Sequence, residues 1–311
     1  MSNFFPRQLE ESNGGVTIST RALIIYNPAA GNGKGERIYH ELQPKIEALG
    51  VEVQRTKRPG HATELALAVA DDENIPVISL GGDGTHHEVI NGLMPQGRAI
   101  FGVIPAGTGN DLVRILNYPK NPLDALDIGL NGLARPFDIG QVGDHYFLTV
   151  AGVGFDAEVA GWVNQRKKQG NGTWVFIRGI LHNMIGYRSQ MMKVTLTEAS
   201  RTERTFLIAA GNTQYYAGGM KICPEASPFD GRFQVVWVGA ISPLGVLPLL
   251  ARVFRGHHVG HRKVKVLSTP ELTVEGPPNL WVHADGELIG HLPITIRTLP
   301  QAIRVRMGVG G

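Results

Sequence analysis

The chain has 311 residues, a formal net charge of +3 and a single cysteine. Its basic residues are spread along the sequence, so we expect no nucleic-acid partner. Cys223 alone excludes a disulfide framework and indicates a reducing compartment. No apolar run reaches the ~20 residues of a membrane span, and residues 1–20 lack the apolar centre of a signal peptide. We therefore expect a cytoplasmic protein that is at most peripheral to a membrane.

Apolar runs alternate with helical patterns after a polar, flexible N-terminal arm at residues 1–20. Strands are predicted at residues 21–26, 51–56, 76–80 and 100–103, and helices at 36–49, 63–70, 88–93 and 112–116. This alternation predicts a doubly wound, open α/β domain over residues 21–135.

Two glycine loops follow the third and fourth predicted strands, about 25 residues apart: GGDGT at 81–85 and PAGTGND at 105–111. Glycine backbones and helix N-termini suit phosphate groups, and ligands of open α/β sheets bind beyond the carboxyl ends of strands. Asp83 would repel phosphate unless a divalent cation lay between them. The loops therefore favour a nucleotide and metal site, although GGDGT alone could be an ordinary capped turn.

The pattern changes after residue 122. Short strands are predicted within residues 123–150 and at 192–196, 204–210, 233–238, 263–267, 271–274, 280–283, 294–299 and 303–307. They predict a β-rich sandwich domain over residues 136–311, with the active-site cleft between the two domains. A return of the last residues to the first domain is left open. Apolar helices at 173–186 and 243–254 belong either to the core or to a lipid or membrane surface.

Five separated motifs carry a resemblance. They are NPAAGNG at 27–33, the two glycine loops, and the second-domain pair GNTQYYAGGM at 211–220 and HADGE at 283–287. Together, over roughly residues 21–307, they resemble the catalytic domain of the diacylglycerol kinase and sphingosine kinase superfamily, and most of all its bacterial soluble lipid kinases. The resemblance implies an enzyme that uses ATP and Mg²⁺ to phosphorylate the hydroxyl of a lipid such as diacylglycerol.

The same resemblance implies roles for individual residues. Glu287 is implied as the general base, with Asp83 as the competing candidate and Asp111 as a further carboxylate beside the metal. A structural Mg²⁺ is implied at a turn that offers the Asp230 side chain and the carbonyls of Ser227 and Arg232. The nucleotide-binding positions are Asn27, Lys34, Thr56, Gly81, Gly82, Asp83, Gly84, Thr85, His86, His87 and Thr108.

Two positions depart from the family pattern. Where the family usually has Leu, Ile or Phe followed by Asn, this chain has His86 and His87, which leaves the nucleotide contact of that Asn open. Adjacent histidines on a helix point about 100° apart, so they are not expected to share a metal ion. Lys34 is equally compatible with a solvated lysine at the start of a helix. Asp138 matches a family carboxylate near the domain junction that could simply hold the domains together.

Other functions stay open at this point. A NAD kinase would share the GGDGT loop, and a catalytically silent nucleotide-binding protein would share the fold. A serine hydrolase is excluded because no G-x-S-x-G elbow occurs. The expected partners are ATP, a lipid acceptor and a transient membrane surface. Neither the lipid nor a homodimer is decided by the sequence.

Overall fold

The computed structural model describes residues 21–72, 75–97, 99–166, 172–197 and 199–308. The predicted arm at residues 1–20 lies outside these ranges. The N-terminal strands are β1 Leu23–Tyr26, β2 Glu52–Arg55, β3 Pro76–Gly81 and β4 Ile100–Pro105. The helices among and after them are α1 Ala30–Leu49, α2 His61–Leu67, α3 Asp83–Leu93, α4 Asp111–Leu116 and α5 Pro122–Asn131.

The N-terminal strands form a parallel sheet in the order β2-β1-β3-β4. Helices α1 and α5 contact each other, as do α2 and α3, and both pairs also contact the sheet. All six residues of β3 are buried, as expected for a parallel strand covered on both faces. The strand order reverses between β1 and β3, so a crevice opens at the carboxyl ends of these two strands.

The C-terminal part is mostly antiparallel. Its strands are β5 Leu133–Val142, β6 His145–Phe147, β7 Val150–Gly154, β8 Gln190–Leu196, β9 Ser200–Gly211, β10 Phe233–Gly239, β11 Val264–Thr269, β12 Glu271–Glu275, β13 Trp281–Ala284, β14 Glu287–His291 and β15 Ile294–Met307. Its helices are α6 Phe155–Asn164, α7 Gly172–Met184 and α8 Pro243–Val253, with a 3-10 turn at His257–Gly260. None of the helices described is both long and apolar enough to cross a membrane.

Two buried apolar clusters stabilise this part. One is built on strands, with Phe147, Phe233 and Trp237 as its large members. The other lies under α6, α7 and α8. Large aromatic side chains on one face of the strands fix the register, because a one-residue slip would move them to the opposite face.

The last strand connects the two parts. Ile294–Leu299 of β15 lie in the antiparallel sheet, whereas Arg304 and Val305 pair in parallel with β4 of the first sheet. The register shifts between Leu299 and Ile303. Asp138, which is buried, accepts the amide of Gln301 within this irregularity at 2.8 Å. The C-terminal strand thus extends the N-terminal sheet.

Two local expectations need correction. Residues 122–131 form α5 rather than the start of a strand region, because the Asn121 side chain accepts the amide of Leu123 at 2.9 Å and Pro122 opens the helix. The strands expected at 294–299 and 303–307 are one strand. Residues 31–33 within α1 have left-handed backbone angles, so the regular part of this helix begins after Gly33, close to the predicted start at residue 36.

Candidate active site

Loops from three strands meet at the crevice. Asn27, which directly follows β1, donates from Nδ2 to the Thr85 hydroxyl at 3.1 Å and accepts the amide of Ala29 at 3.0 Å. Gly31 has φ +56°, and a Cβ placed on it would lie 2.1 Å from the carbonyl oxygen of Ala106. The loop after β1 is therefore joined to the loops after β3 and β4.

The two glycine loops also contact each other. A Cβ placed on Gly107 would lie 2.7 Å from the Cα of Gly82, so only glycine allows this approach. Gly82 precedes α3, and its carbonyl accepts the amides of Thr85 and His86. The α3 N-terminus consequently faces the crevice with the partial positive charge that favours phosphate.

Two buried carboxylates stand where the glycine loops meet. The amide of Asp111 donates to Asp83 Oδ1 at 3.0 Å, and Asp111 Oδ2 accepts the amide of Gly218 at 2.8 Å. Asp111 Oδ1 has no hydrogen bond within the described residues, and Arg114 Nε is 3.9 Å from it. Burial and the Asp83 charge raise the pKa of Asp111 to about 7. Burial also raises the pKa of Asp83.

A third carboxylate comes from the β13–β14 turn of the C-terminal part. Glu287 Oε1 lies 3.6 Å from where a Cβ on Gly84 would stand, so Glu287 faces the first glycine loop. Asn164 of α6 donates to the Gly286 carbonyl at 3.0 Å and to Glu287 Oε2 at 3.3 Å. Residues from α3 and from the second part therefore share one site.

Asp285 anchors that turn. Its Oδ1 accepts the amide and hydroxyl of Thr149 at 2.8 and 2.5 Å, and its Oδ2 accepts the amide of Leu148 at 2.9 Å. His87 Nδ1 lies 3.1 Å from Asp285 Oδ2. Burial alone would raise the pKa of Asp285, but these hydrogen bonds and His87 lower it. Asp285 thus connects α3 to the turn that carries Glu287.

One continuous cavity of about 940 Å³ joins the glycine loops to an apolar chamber. Its polar end is lined by Asn27, Thr56, Gly82, Asp83, Gly84, Thr85, Thr108, Asp111 and Glu287. Its apolar end is lined by side chains from α6, α7, α8, β9 and β10, including Phe155, Val175, Ile180, Phe206, Leu207, Val238, Val246 and Leu249. The cavity can therefore hold a charged group and a long apolar group at once.

A polar pair lies between the two ends. Asp156 and His283 are both buried and line the cavity, and Asp156 Oδ2 is 3.3 Å from His283 Nε2. Tyr216 stacks on His283 with ring centroids 6.3 Å apart. Burial and the Asp156 charge raise the pKa of Tyr216 well above 10, so its hydroxyl stays protonated.

Four of the predicted nucleotide positions do not line the cavity: Lys34, Gly81, His86 and His87. His86 is buried between α3 and the sheet, with Nδ1 2.8 Å from the Ser79 hydroxyl. Burial lowers its pKa to about 3, so it is a neutral core histidine. His87 contacts Asp285 instead of the cavity.

The predicted magnesium turn also lies away from the cavity. Asp230 is exposed, and its Oδ1 accepts the amide of Arg232 at 3.0 Å. The Arg232 guanidinium bonds Ser268, so this side chain points away from the turn. Gly231 donates its amide to the buried Asp138 at 2.7 Å, which attaches the turn to β5.

Sequence reasoning assigned no role to four residues of the site: Asp156, Asn164, His283 and Asp285. Asp285 carried a signal, since it stands in the same DGE motif as Glu287. Asp156 and Asn164 begin and end α6, whose apolar pattern gave no sign of a site, and their contacts are with residues more than 100 positions away.

Comparisons with known proteins agree with this picture. A model of the diacylglycerol kinase catalytic domain matches residues 21–142, and one described as the YegS C-terminal NAD kinase beta sandwich-like domain matches residues 149–307. Diacylglycerol kinase of Bacillus subtilis (strain 168) is 31% identical over 291 residues, which cover 92% of this chain and 96% of the relative. The corresponding protein of Staphylococcus carnosus (strain TM300) is 31% identical over 293 residues, covering 92% and 94%.

Solved structures agree in fold. A crystal structure of a diacylglycerol kinase from Bacillus anthracis str. Sterne superposes with a TM-score of 0.78 at 24% identity, covering 93% of this chain and 98% of that one. The predicted fold class, an N-terminal α/β domain with a C-terminal β-sandwich, is confirmed.

Proposed function

Since this chain belongs to the diacylglycerol kinase family and is a lipid kinase, we propose that it transfers the γ-phosphate of ATP to the hydroxyl of diacylglycerol or a closely related lipid. One observation carries the proposal. The cavity that contains the glycine loops and the carboxylates Asp83, Asp111 and Glu287 continues into an apolar chamber. A phosphate donor and an acyl chain can therefore lie in one continuous cavity.

The glycine loops would hold the nucleotide. Asn27 and Thr85 are bonded to each other at the base of the crevice, and the α3 N-terminus lies beside them. Thr56 and Thr108 add hydroxyl groups to the same wall. Phosphoryl transfer depends mainly on positioning and on neutralising charge, and this wall supplies amides and hydroxyls for both.

The carboxylate pair fits Mg²⁺. Asp83 and Asp111 are buried together, their pKa values are raised, and Asp111 Oδ1 has no hydrogen bond within the described residues. A cation bound by hard oxygen ligands would relieve this repulsion. When bound, Mg²⁺ would neutralise the phosphate charge that otherwise repels the two carboxylates.

Glu287 is the better candidate for the general base. Asp83 Oδ1 already accepts the amide of Asp111, and burial raises the pKa of Asp83. Glu287 comes from the opposite side of the cavity and faces Gly84. There it would take the proton of the lipid hydroxyl while the hydroxyl oxygen bonds to the γ-phosphorus and the bond to ADP breaks. A base of this kind contributes roughly 10²–10⁴-fold.

A second Mg²⁺ at the turn of Ser227, Asp230 and Arg232 would have a structural role. The turn is attached to Asp138, which also accepts an amide of β15. A cation here would stabilise the junction of the two parts without contacting the cavity.

The alternatives have less support. NAD is a charged, water-soluble acceptor and would leave the apolar chamber unfilled. A catalytically silent nucleotide-binding protein would have no need for two buried carboxylates placed side by side, because their charges repel each other unless a cation compensates them. We infer that the acceptor arrives from a membrane surface, to which the protein binds peripherally. A homodimer is not required by the site.

The test is transfer of label from γ-labelled ATP to diacylglycerol, phosphatidylglycerol, sphingosine and ceramide in mixed micelles, with NAD as soluble control and with or without Mg²⁺. We expect label in diacylglycerol, only with Mg²⁺. Glu287→Gln should lower kcat by roughly 10²-fold or more, whereas the exposed Glu271→Gln should leave it unchanged. Label in NAD alone, or full activity of Glu287→Gln, would overturn the proposal.

A further inference from the structure

Helix α6 lines the cavity along its whole length. Six of its ten residues face the cavity, and they are Phe155, Asp156, Val159, Ala160, Val163 and Asn164. Spacings of four residues place them on one side of the helix. Four of the six are apolar, whereas Asp156 and Asn164 stand near the two ends of this side. The same helix contacts β13 and β14, the hairpin that carries Glu287.

The turn of this hairpin has a defined backbone. Ala284 and Glu287 pair across it, and the two residues between them, Asp285 and Gly286, have φ angles of +50° and +85°. Positive φ at both central positions is typical of a type I′ turn, whose twist matches that of the flanking strands. The strand pairing therefore places the Cα of Glu287, and what remains to be determined is the direction of its side chain.

Asn164 holds that side chain. Its Nδ2 donates to the Gly286 carbonyl at 3.0 Å and to Glu287 Oε2 at 3.3 Å. An asparagine amide has two N–H groups, so both are used on this turn. The bond to the carbonyl fixes the amide, and the bond to the carboxylate keeps one carboxylate oxygen on the α6 side. The other oxygen, Oε1, lies towards Gly84, 3.6 Å from where a Cβ on that residue would stand.

His283 restrains the same turn through its backbone. The Nδ1 atom of His283 accepts the amide of Gly286 at 3.3 Å. Because a backbone N–H can only donate, Nδ1 carries no proton, and the ring proton lies on Nε2. Nε2 is 3.3 Å from Oδ2 of the buried Asp156. Both polar groups of Gly286 are thus held, one by Asn164 and the other by a histidine that faces Asp156.

Helix α6 packs closely enough to act as a support. A Cβ placed on Gly161 of α6 would lie 3.2 Å from Leu288 Cδ1 of β14. A Cβ placed on Gly179 of α7 would lie 3.1 Å from the ring of Trp162. Glycines at these two contacts let α6 approach both neighbours. The position of Asn164 relative to β14 is therefore fixed by packing, as a short side chain that must reach the turn requires.

We propose that Asn164 positions the general base: it holds one oxygen of Glu287 and so directs the other to the hydroxyl of the acceptor. That oxygen takes the hydroxyl proton while the hydroxyl oxygen bonds to the γ-phosphorus and the bond to ADP breaks. In this role Asn164 contacts Glu287 and not the reacting atoms, so it is a positioning residue. The inference rests on the proposed function, in which Glu287 is the base.

The rate effect follows from geometry. Without the bond to Asn164, the Glu287 side chain can adopt other rotamers, in which its carboxylate no longer faces the first glycine loop. A misplacement of about 1 Å in a reacting group can cost on the order of 10²-fold in rate. Binding of ATP does not depend on this bond, because the nucleotide would lie on the glycine loops. A loss of Asn164 should therefore appear in kcat and not in KM for ATP.

The first experiment replaces Asn164 by leucine, which has nearly the same shape and cannot donate a hydrogen bond. In mixed micelles with diacylglycerol, kcat should fall by about 10–100-fold, while KM for ATP changes little. Asn164→Gln keeps the amide and should recover part of the lost kcat. Asn131→Leu is the matched control, because Asn131 is also the last residue of its helix and donates within it, to Asp127. It should leave kcat unchanged.

The second experiment separates positioning from a structural effect. Glu287→Gln removes the carboxylate, so adding Asn164→Leu to this variant should lower the residual kcat by less than about twofold. A residue that only stabilised the fold would lower kcat equally with and without Glu287. If the leucine variant does not fold, Asn164→Asp gives the same comparison, since it keeps the shape but turns oxygens towards the Gly286 carbonyl and the carboxylate.

The outcomes distinguish this inference from the proposed function. Full activity of Glu287→Gln would overturn the base, and with it the proposed function. If Glu287→Gln loses activity but Asn164→Leu and Asn164→Asp both match the Asn131→Leu control, the positioning role is refuted and the function stands. Equal losses from Asn164→Leu with and without Glu287 would also refute the role, because the effect would then not pass through the carboxylate.

Discussion

Two buried aspartates of the site should respond to the same substitution in opposite ways. Asp111 lacks a hydrogen bond to Oδ1 within the described residues, and burial with the nearby Asp83 charge raises its pKa from 3.8 to about 7. Asp285 accepts three hydrogen bonds, contacts His87 and has a lowered pKa. We expect Asp111→Asn to stabilise the metal-free protein at neutral pH and Asp285→Asn to destabilise it.

The sign follows from proton binding. The unfolded chain loses the Asp111 proton near pH 4, whereas the folded protein keeps it until about pH 7. Folding is therefore penalised increasingly as the pH rises between these values. One pKa unit corresponds to about 1.4 kcal/mol. At pH 8 the penalty on folding corresponds to the whole pKa difference of about 3 units, and at pH 5 it corresponds to only about one unit. The advantage of Asp111→Asn should thus grow by about 3 kcal/mol from pH 5 to pH 8.

Asp285 has the opposite linkage. Its carboxylate form is stabilised by folding, so its contribution is present above its ordinary pKa and lost as the pH falls through the lowered folded value. Replacing it removes charge-assisted hydrogen bonds from two amides and a hydroxyl, at a cost of about 3 kcal/mol at pH 8.

Urea unfolding in EDTA at pH 5 and pH 8, followed by circular dichroism, measures both effects. EDTA is essential because Mg²⁺ would stabilise the wild type preferentially. If Asp111→Asn is no more stable than the wild type at pH 8, the mutual repulsion of the two carboxylates, and with it the reason for a cation between them, is refuted.

Three further outcomes follow from the same contacts. Gly107→Ala should destabilise the protein by about 1–3 kcal/mol and abolish ATP binding in calorimetry, because its Cβ would lie 2.7 Å from Gly82 Cα. The control is Gly186→Ala, which has open space around it and should have neither effect. Equal behaviour of the two variants would contradict the close approach of Gly107 to Gly82. His87→Ala should reduce kcat about tenfold or more while KM for ATP changes little, because His87 contacts the turn that carries Glu287 rather than the nucleotide. A variant in which only KM for ATP rises would instead place His87 in the nucleotide site. Cys223 is buried, and burial raises the pKa of its thiol. A thiol reagent should therefore label Cys223 only after urea is added. Rapid labelling of the native protein would show that the β9 side of the cavity opens.

The nucleotide side of the cavity was predictable because its signals are local. A buried strand, a glycine loop and a helix start lie within about ten residues of each other at 76–88 and again at 100–112, and the strand ends of a parallel sheet meet at one edge. Asp83, Asp111, Thr85 and Thr108 accordingly lie together. The motif that places Glu287 opposite them came from the family resemblance, since no local rule brings residue 287 next to Gly84.

The remainder depends on contacts that sequence patterns do not encode. His87 was expected near the nucleotide, but it contacts Asp285, 198 residues away. Asp156 stands on α6, a helix that local periodicity did not predict, and its partner His283 is far away in the sequence. Helix α5 was missed because the cap formed by Asn121 and Pro122 was overlooked in favour of the strand-like pattern that follows. In each case the structure depends on tertiary contacts or on a helix cap, which local hydrophobic periodicity does not show.

The way the two parts are joined determines how this site can work. β15 pairs with strands of both parts, and Asp285 joins α3 to the β6–β7 connection through buried hydrogen bonds. A rigid rotation that opened the cleft would have to break both sets of contacts, and leaving the Asp285 charge unpaired in a buried site is costly. These contacts therefore hold Glu287 opposite the first glycine loop in the folded protein. Helices α7 and α8 line the apolar end of the same cavity and expose apolar side chains on their outer faces.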